Sequence, residues 1–216
     1  MVKSTRPETE GDLSREAIEH LTQADKVMGR LIARVGRCDL KPAPRRSPFE
    51  TLVHSVAHQQ LNGTAAKTIL GRVRGLYPGR RFPTPGDLLG TPDDRLRAAG
   101  LSRSKVAAIK DIAQHTLSGV VPTSRVIARM EDDAILEQLT AIRGVGPWTV
   151  HMLLIFKLGR PDILPATDYG VRKGFALTYR AKDLPTPGEL LERGEAWRPY
   201  RSFAAWYLWR SLELPA

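Results

Sequence analysis

The stretch LTAIRGVGPWTV, Leu139 to Val150, decides how the rest of the chain is read. Apolar residues at helical spacing run up to it and away from it, and between them lie Gly144, Val145 and Gly146, followed by Pro147. Proline suits a first helical turn, because its φ is already fixed and the N–H it lacks would have had no acceptor within the helix. The two glycines tolerate positive φ and carry no side chain to hold another backbone at a distance. Amides at the start of the second helix have no intrahelical acceptor and sit at the positive end of its dipole, so a phosphate oxygen can bind them. Such a hairpin grips a nucleic-acid strand without reading its bases. An ordinary helix corner, with glycine as stop and proline as restart, follows the same grammar, and the stretch alone leaves both readings open.

Outward from the hairpin the punctuation stays helical. Ile18, Leu21, Met28, Leu31, Ile32 and Val35 predict one amphipathic helix over about 14–35, ending at Gly36 and followed by a linker, CDLKPAPRRSP. Ser47, Pro48 and Glu50 supply cap, first-turn proline and capping-box acid for a helix bearing Phe49, Leu52, Val53, Val56 and Ala57. Thr84 with Pro85 and Asp87, Thr91 with Pro92 and Asp94, and Thr186 with Pro187 and Glu189 repeat that start signal. Further helices are predicted at about 64–76, 103–118, 133–141, 147–158, 168–179, 187–196 and 199–213, and no stretch alternates convincingly as a strand. The expected class is all-α.

Composition narrows the partner. The 216 residues carry 33 Lys and Arg against 23 Asp and Glu, a formal charge of +10, which favours a polyanion, either nucleic acid or acidic membrane. No run approaches the roughly 18 apolar residues of a membrane span, and the first 14 residues lack the apolar stretch of a signal peptide. A soluble intracellular monomer with no membrane partner is expected. One cysteine, Cys38, excludes an intrachain disulfide, a Cys-rich zinc site and a four-cysteine iron–sulfur cluster. His54 and His58 have the spacing of a helical metal pair, but no neighbouring carboxylate or thiol completes a zinc set.

Twenty residues beyond Trp148, the segment LPATDYGVRKGF places Asp168 at the start of a predicted helix. A helix N-terminus suits a negative side chain, and a carboxylate held there serves better as an electrostatic stabiliser than as a proton donor. An aspartate at a helix start can equally be no more than an N-cap.

Taken together these segments resemble the helix-hairpin-helix DNA glycosylase superfamily, in its 3-methyladenine DNA glycosylase II, or alkylpurine, branch. The similarity runs from about Pro48 to Leu212 and rests on five segments in order. They are SPFETLVHSVAHQQLNGTAA, GLSRSKVAAIKDIA, LTAIRGVGPWTV, LPATD and WRPYRSFAAWYLWRSLE. The resemblance implies two helical lobes with the active cleft between them, one lobe from 12–40 plus 175–216 and the other from 47–170. It implies Asp168 as the catalytic aspartate. Gln60 and Leu61 match the intercalating element, with Gln59 and Asn62 probing neighbouring bases and His58 close by. Trp148, Trp209, Met152 and Trp206 are implied for the base pocket, although core packing is the ordinary fate of tryptophan. Met152 stands where some relatives have tyrosine, which leaves bulky etheno adducts open. Gly144, Gly146 and Thr149 are expected DNA contacts at the hairpin, and Arg143, Arg172, Lys173 and Lys157 are candidate phosphate contacts, each of which could equally be a solvated surface charge.

No cofactor is required by this reading. The resemblance implies only an alkali cation, Na+ or K+, on the main-chain carbonyls of Thr140, Ile142 and Val145. Trp148 occupies the hairpin position where bifunctional relatives carry a nucleophilic lysine, and without that amine no Schiff base forms there. The expectation is therefore a monofunctional glycosylase acting on double-stranded DNA with damaged bases, in the cytoplasm at the nucleoid or in the nucleus. It would release 3-methyladenine and 7-methylguanine after flipping the nucleotide out of the stack. Two rivals stay open: a noncatalytic hairpin module for damaged DNA, and a glycosylase for an oxidised or deaminated base.

Overall fold

A computed structural model describes residues 10–42, 46–61 and 63–215, and among them every regular element is helical. The chain forms two compact units, one from residues 1–41 and 159–216, the other from 42–158.

The first unit opens with α1 (Glu10–Ala24) and α2 (Lys26–Val35). The single helix expected over 14–35 is thus broken at Asp25. That residue adopts extended φ and ψ, and its Oδ1 accepts the amides of Val27 and Met28 at 2.9 and 3.1 Å, capping a second helix in place of continuing the first. The break is fixed from outside as well, because Asp25 Oδ2 accepts Tyr179 Oη, Arg193 Nη2 and Trp197 Nε1.

The second unit follows with α3 (Pro48–His58), α4 (Gly63–Gly75), α5 (Pro85–Gly90), α6 (Asp93–Ala98), α7 (Arg103–Leu117), α8 (Ser124–Ile127), α9 (Asp132–Thr140) and α10 (Pro147–Phe156). Its core gathers Leu52, Val53, Val56, Leu88, Leu96, Ile109, Ile112, Ile135, Leu139, Val150 and Leu153, each essentially inaccessible to water. Full burial of one such side chain contributes about 1.5–3 kcal/mol. Helix α10 is buried on most sides, from Thr149 and Val150 through Met152 to Ile155.

Two start signals behave differently from the sequence reading. Ser47 Oγ does cap α3 by accepting the Glu50 amide, but Glu50 does not close a capping box. Its carboxylate is buried and forked by the Arg81 guanidinium, a bidentate pair stronger than a reach back to the cap. Thr91 does not cap α6: it is the C-cap of α5, its hydroxyl donates to the Asp87 carbonyl at 2.8 Å, and α6 starts after Pro92 without a side-chain cap. The boxes at Thr84 and Asp87 and at Thr186 and Glu189 form as expected.

The chain returns to the first unit at Gly159, earlier than the crossing expected near 170–175. The segment is tied there by Arg201, whose guanidinium pairs with Asp162 at 2.7 Å, and by Ser202 Oγ, which donates to the Arg160 carbonyl. Then come α11 (Tyr169–Tyr179), α12 (Pro187–Gly194), a 3-10 turn (Glu195–Trp197) and α13 (Arg201–Ser211). The core of this unit joins Leu21, Met28, Leu31, Val171, Leu190, Trp197, Tyr207 and Leu208. Helices α11 and α13 touch backbone to backbone, since a Cβ built at Gly174 would lie 2.0 Å from the Leu208 carbonyl oxygen.

Candidate functional site

In the second unit α9 and α10 form the two arms of the hairpin. Gly144 takes φ +76, and a Cβ there would fall 2.5 Å from Cβ of Ala108 on α7, so both conformation and packing demand glycine. Gly146 does not use the positive φ open to it. It sits at φ −98 as the N-cap of α10, and a Cβ there would meet nothing within 4 Å. Nothing inside the protein requires a glycine at 146, whereas an incoming phosphate would profit from the bare backbone. Helix α10 begins with neither a side-chain cap nor an acid in its first turn. No carboxylate of its own offsets the positive dipole end in that turn, an arrangement suited to an external anion.

The hairpin is braced to the turn after α3. Gln59 Nε2 donates to the Gly144 carbonyl at 3.0 Å and to Thr149 Oγ1 at 3.1 Å. Two expectations change as a result: the Gln59 amide is engaged within the protein, and Thr149, 1% exposed, is a buried partner of Gln59 and not a surface contact. Beyond the brace, Gln60 has φ +57, a costly conformation for a residue with a side chain, and Leu61 is 39% exposed. An exposed polar residue and an exposed leucine at the tip of a strained turn have the form of a wedge. Asn62 lies outside the described residues.

His58 is partly buried beside this turn and its Nδ1–H donates to the His54 carbonyl at 2.8 Å, which fixes the tautomer. Burial, followed by the charges of Arg46, His58, Arg74 and Arg81, pushes the His54 imidazole down to about 4. Among the described residues no three His, Cys, Asp or Glu side chains gather as a metal set. Arg143 is exposed and its amide donates to Asp111 Oδ2. Lys157, expected on the surface, is 6% exposed.

Asp168 belongs to the first unit. It caps α11, with Oδ1 accepting the Val171 amide at 2.8 Å, and the same oxygen accepts the indole N–H of Trp209 at 2.8 Å. Gly170 allows this, because a Cβ there would stand 2.9 Å from Trp209 Cδ1. The expected pocket tryptophan is thus also the group that orients the carboxylate. Trp206, one turn earlier on α13, is partly buried and carries the Arg210 guanidinium over its ring at 5.7 Å. Tyr207 is core, its hydroxyl donating to the Gly36 carbonyl. On α11, Lys173 is exposed, whereas the Arg172 guanidinium donates to the Pro185 carbonyl. Trp148 and Met152 lie one turn apart on α10 in the second unit, partly buried and 8% exposed respectively.

Two residues absent from the sequence reading contribute. Lys105 and Asp111, both on α7, hold main-chain groups of the wedge turn and of the hairpin. Their acceptor and donor are backbone atoms, which leave no mark in a sequence.

A glycine hairpin, a wedge turn and a capping aspartate on an all-helical scaffold define a DNA-repair protein of the helix-hairpin-helix class. The chain belongs to the HhH-GPD superfamily of base excision DNA repair proteins, whose family model matches residues 53–199. It is 37% identical to DNA-3-methyladenine glycosylase 1 of Schizosaccharomyces pombe over 90% of this chain and 86% of that protein. The solved structure of the S. pombe 3-methyladenine DNA glycosylase Mag1 in complex with abasic DNA superposes with a TM-score of 0.86, covering 92% of this chain and 97% of that one. A DNA-3-methyladenine glycosidase from Bacillus halodurans, 34% identical, superposes with a TM-score of 0.77 over 90% and 88% of the two chains.

Proposed function

We propose that the protein is a monofunctional DNA glycosylase that excises alkylated purines, 3-methyladenine and 7-methylguanine, from duplex DNA. The observation that carries this reading is the Asp168 carboxylate, fixed at the start of α11 by the Val171 amide and the Trp209 indole. Its relatives named for 3-methyladenine supply the substrate class.

The chemistry follows from the substrate. A purine inside a duplex is out of reach, so the nucleotide turns outward at a cost of a few kcal/mol, and the Gln60–Leu61 tip fills the stack it leaves. As the N-glycosidic bond breaks, its electron pair goes to the base and the sugar gains oxocarbenium character. Asp168 stabilises that charge: at about 4 Å and an effective dielectric near 20, the attraction is roughly 4 kcal/mol, on the order of a thousandfold in rate. A purine alkylated at N3 or N7 is already cationic and leaves neutral, with no general acid. Water then adds to C1′ and loses a proton, giving an abasic site. Trp148 and Trp209 offer electron-rich faces suited to a cationic base. With tryptophan at 148, no amine attacks C1′ from the hairpin.

An alkali cation on the carbonyls of Thr140, Ile142 and Val145 belongs to the same proposal, since main-chain oxygens are hard donors suited to such an ion. The Ile142 oxygen already accepts the Val145 amide at 3.0 Å and keeps a second lone pair. The ion would stiffen the turn that presents the α10 amides. The setting is wherever the DNA is, nucleoid or nucleus.

The test is release of bases from methylated duplex DNA, resolved by chromatography. Alkylpurines should appear, and duplexes carrying oxidised or deaminated bases should yield little. Tight binding with no release of any base would support the noncatalytic rival instead. Borohydride should trap no covalent adduct with DNA.

A further inference from the structure

The wedge turn and the hairpin are separate in sequence, yet one face of one helix holds both. On α7 the residues Lys105, Ala108 and Asp111 are three apart and share a side of the helix. Lys105 Nζ donates to the carbonyls of Ala57 at 2.9 Å and Gln59 at 2.8 Å. Ala108 seats Gly144 so closely that no side chain fits there, and Asp111 accepts the Arg143 amide at 2.8 Å. Gln59 closes the circuit through the Gly144 carbonyl and Thr149.

We propose that Lys105 is a positioning residue for nucleotide eversion: by clamping the carbonyls of Ala57 and Gln59 it sets the Gln60–Leu61 tip and ties it to the hairpin. This inference rests on the glycosylase reading above. The carbonyls at the end of α3 have no N–H donors farther along that helix, and an ammonium with three donors satisfies two of them while matching the negative dipole end. The Gln59 carbonyl also immediately precedes Gln60, whose left-handed φ costs about 1 kcal/mol or more and persists only where neighbours over-determine it. Lys105 is such a neighbour, and burial holds its ammonium below the usual lysine range. A wedge is needed only when a base must leave an intact stack. Loss of Lys105 should therefore harm eversion more than bond cleavage.

The experiment compares single-turnover release of one alkylpurine placed either in a normal pair or in a single-nucleotide bulge, where little stacking has to be undone. In Lys105→Met, which keeps the aliphatic stem and loses the donors, the paired-to-bulged rate ratio should fall about tenfold, the loss expected from removing charge-assisted hydrogen bonds. Lys105→Arg should restore part of it. An unchanged ratio, whether both rates fall or neither does, would make Lys105 a plain helix cap and overturn the proposal. Fluorescence of 2-aminopurine beside the lesion reports unstacking without chemistry, and its rise on binding should shrink in Lys105→Met. Should Lys105→Met not fold, Lys105→Gln is taken through both measurements, and a wild-type ratio and a wild-type fluorescence rise there would equally refute the role. Wild-type protein that unstacks 2-aminopurine yet releases no base from either substrate would instead count against the glycosylase reading.

Discussion

Asp25 and Asp168 are the same device used twice within one unit. Each caps a helix, α2 and α11 respectively, and each accepts a tryptophan indole, from Trp197 at 3.2 Å and from Trp209 at 2.8 Å. The difference lies in burial. Asp25 is 4% exposed, and its two oxygens take bonds from Val27, Met28, Tyr179, Arg193 and Trp197. Asp168 is only partly buried. A carboxylate shut away from water holds the fold, whereas one that keeps access to solvent is open to a substrate. Local grammar does not distinguish them, and three-dimensional context does.

The largest effect expected from this pairing is at Asp168. Asp168→Asn keeps a competent cap, so thermal unfolding should barely move, while base release should fall on the order of a thousandfold. Binding to an abasic duplex should survive. Activity near the wild-type rate would strike Asp168 from the mechanism.

Asp25→Asn should do the reverse. Removing the buried charge strands the hydrogen-bond donors around it and should lower folding stability by about 3 kcal/mol in urea titrations. Release per folded molecule should stay at the wild-type rate. A variant that is fully stable yet inactive would erase the contrast.

Trp209→Phe sharpens the comparison by removing one indole N–H and keeping a ring. A loss of about tenfold in the single-turnover rate is expected, equivalent to one hydrogen bond to a charged acceptor, with little change in stability.

The smallest effect is on pH dependence. Burial alone would raise the Asp25 carboxyl, but hydrogen bonds from Tyr179, Met28, Trp197 and Val27 outweigh it and hold the group below its ordinary 3.8. Its contribution is then fully present above the unfolded-state value and is lost as pH falls through the lower folded value. Acid titration of unfolding should show a steeper limb below about pH 4 in wild type than in Asp25→Asn.

Most of the helices were readable because their signals are local. Pro147 after two glycines, Thr186 with Glu189, and the apolar spacing of α3 all act within a turn or two of the chain. What escaped depends on distant partners. The break at Asp25 is secured by Tyr179 and Trp197, which lie 154 and 172 positions away. Glu50 forsakes its capping box for Arg81, 31 positions on. Within the candidate site, the helix start at Asp168 and the turn between α9 and α10 were legible as local motifs, whereas the braces from Lys105 and Asp111, which act on main-chain atoms, were not. Thr149 and Lys157 were misplaced because α10 is buried on nearly every side, which leaves no polar face for spacing to reveal.

The bare contact at Gly174 has one more consequence. With the Leu208 carbonyl where the next carbon would have to go, α11 and α13 meet at a fixed gauge that no rotamer can adjust. Trp209 follows Leu208 directly, so the reach of its indole to the α11 start is measured from that point of contact. Any bulk at 174 would wedge the gauge open and lengthen that reach, loosening the hold of the Trp209 indole on the Asp168 carboxylate.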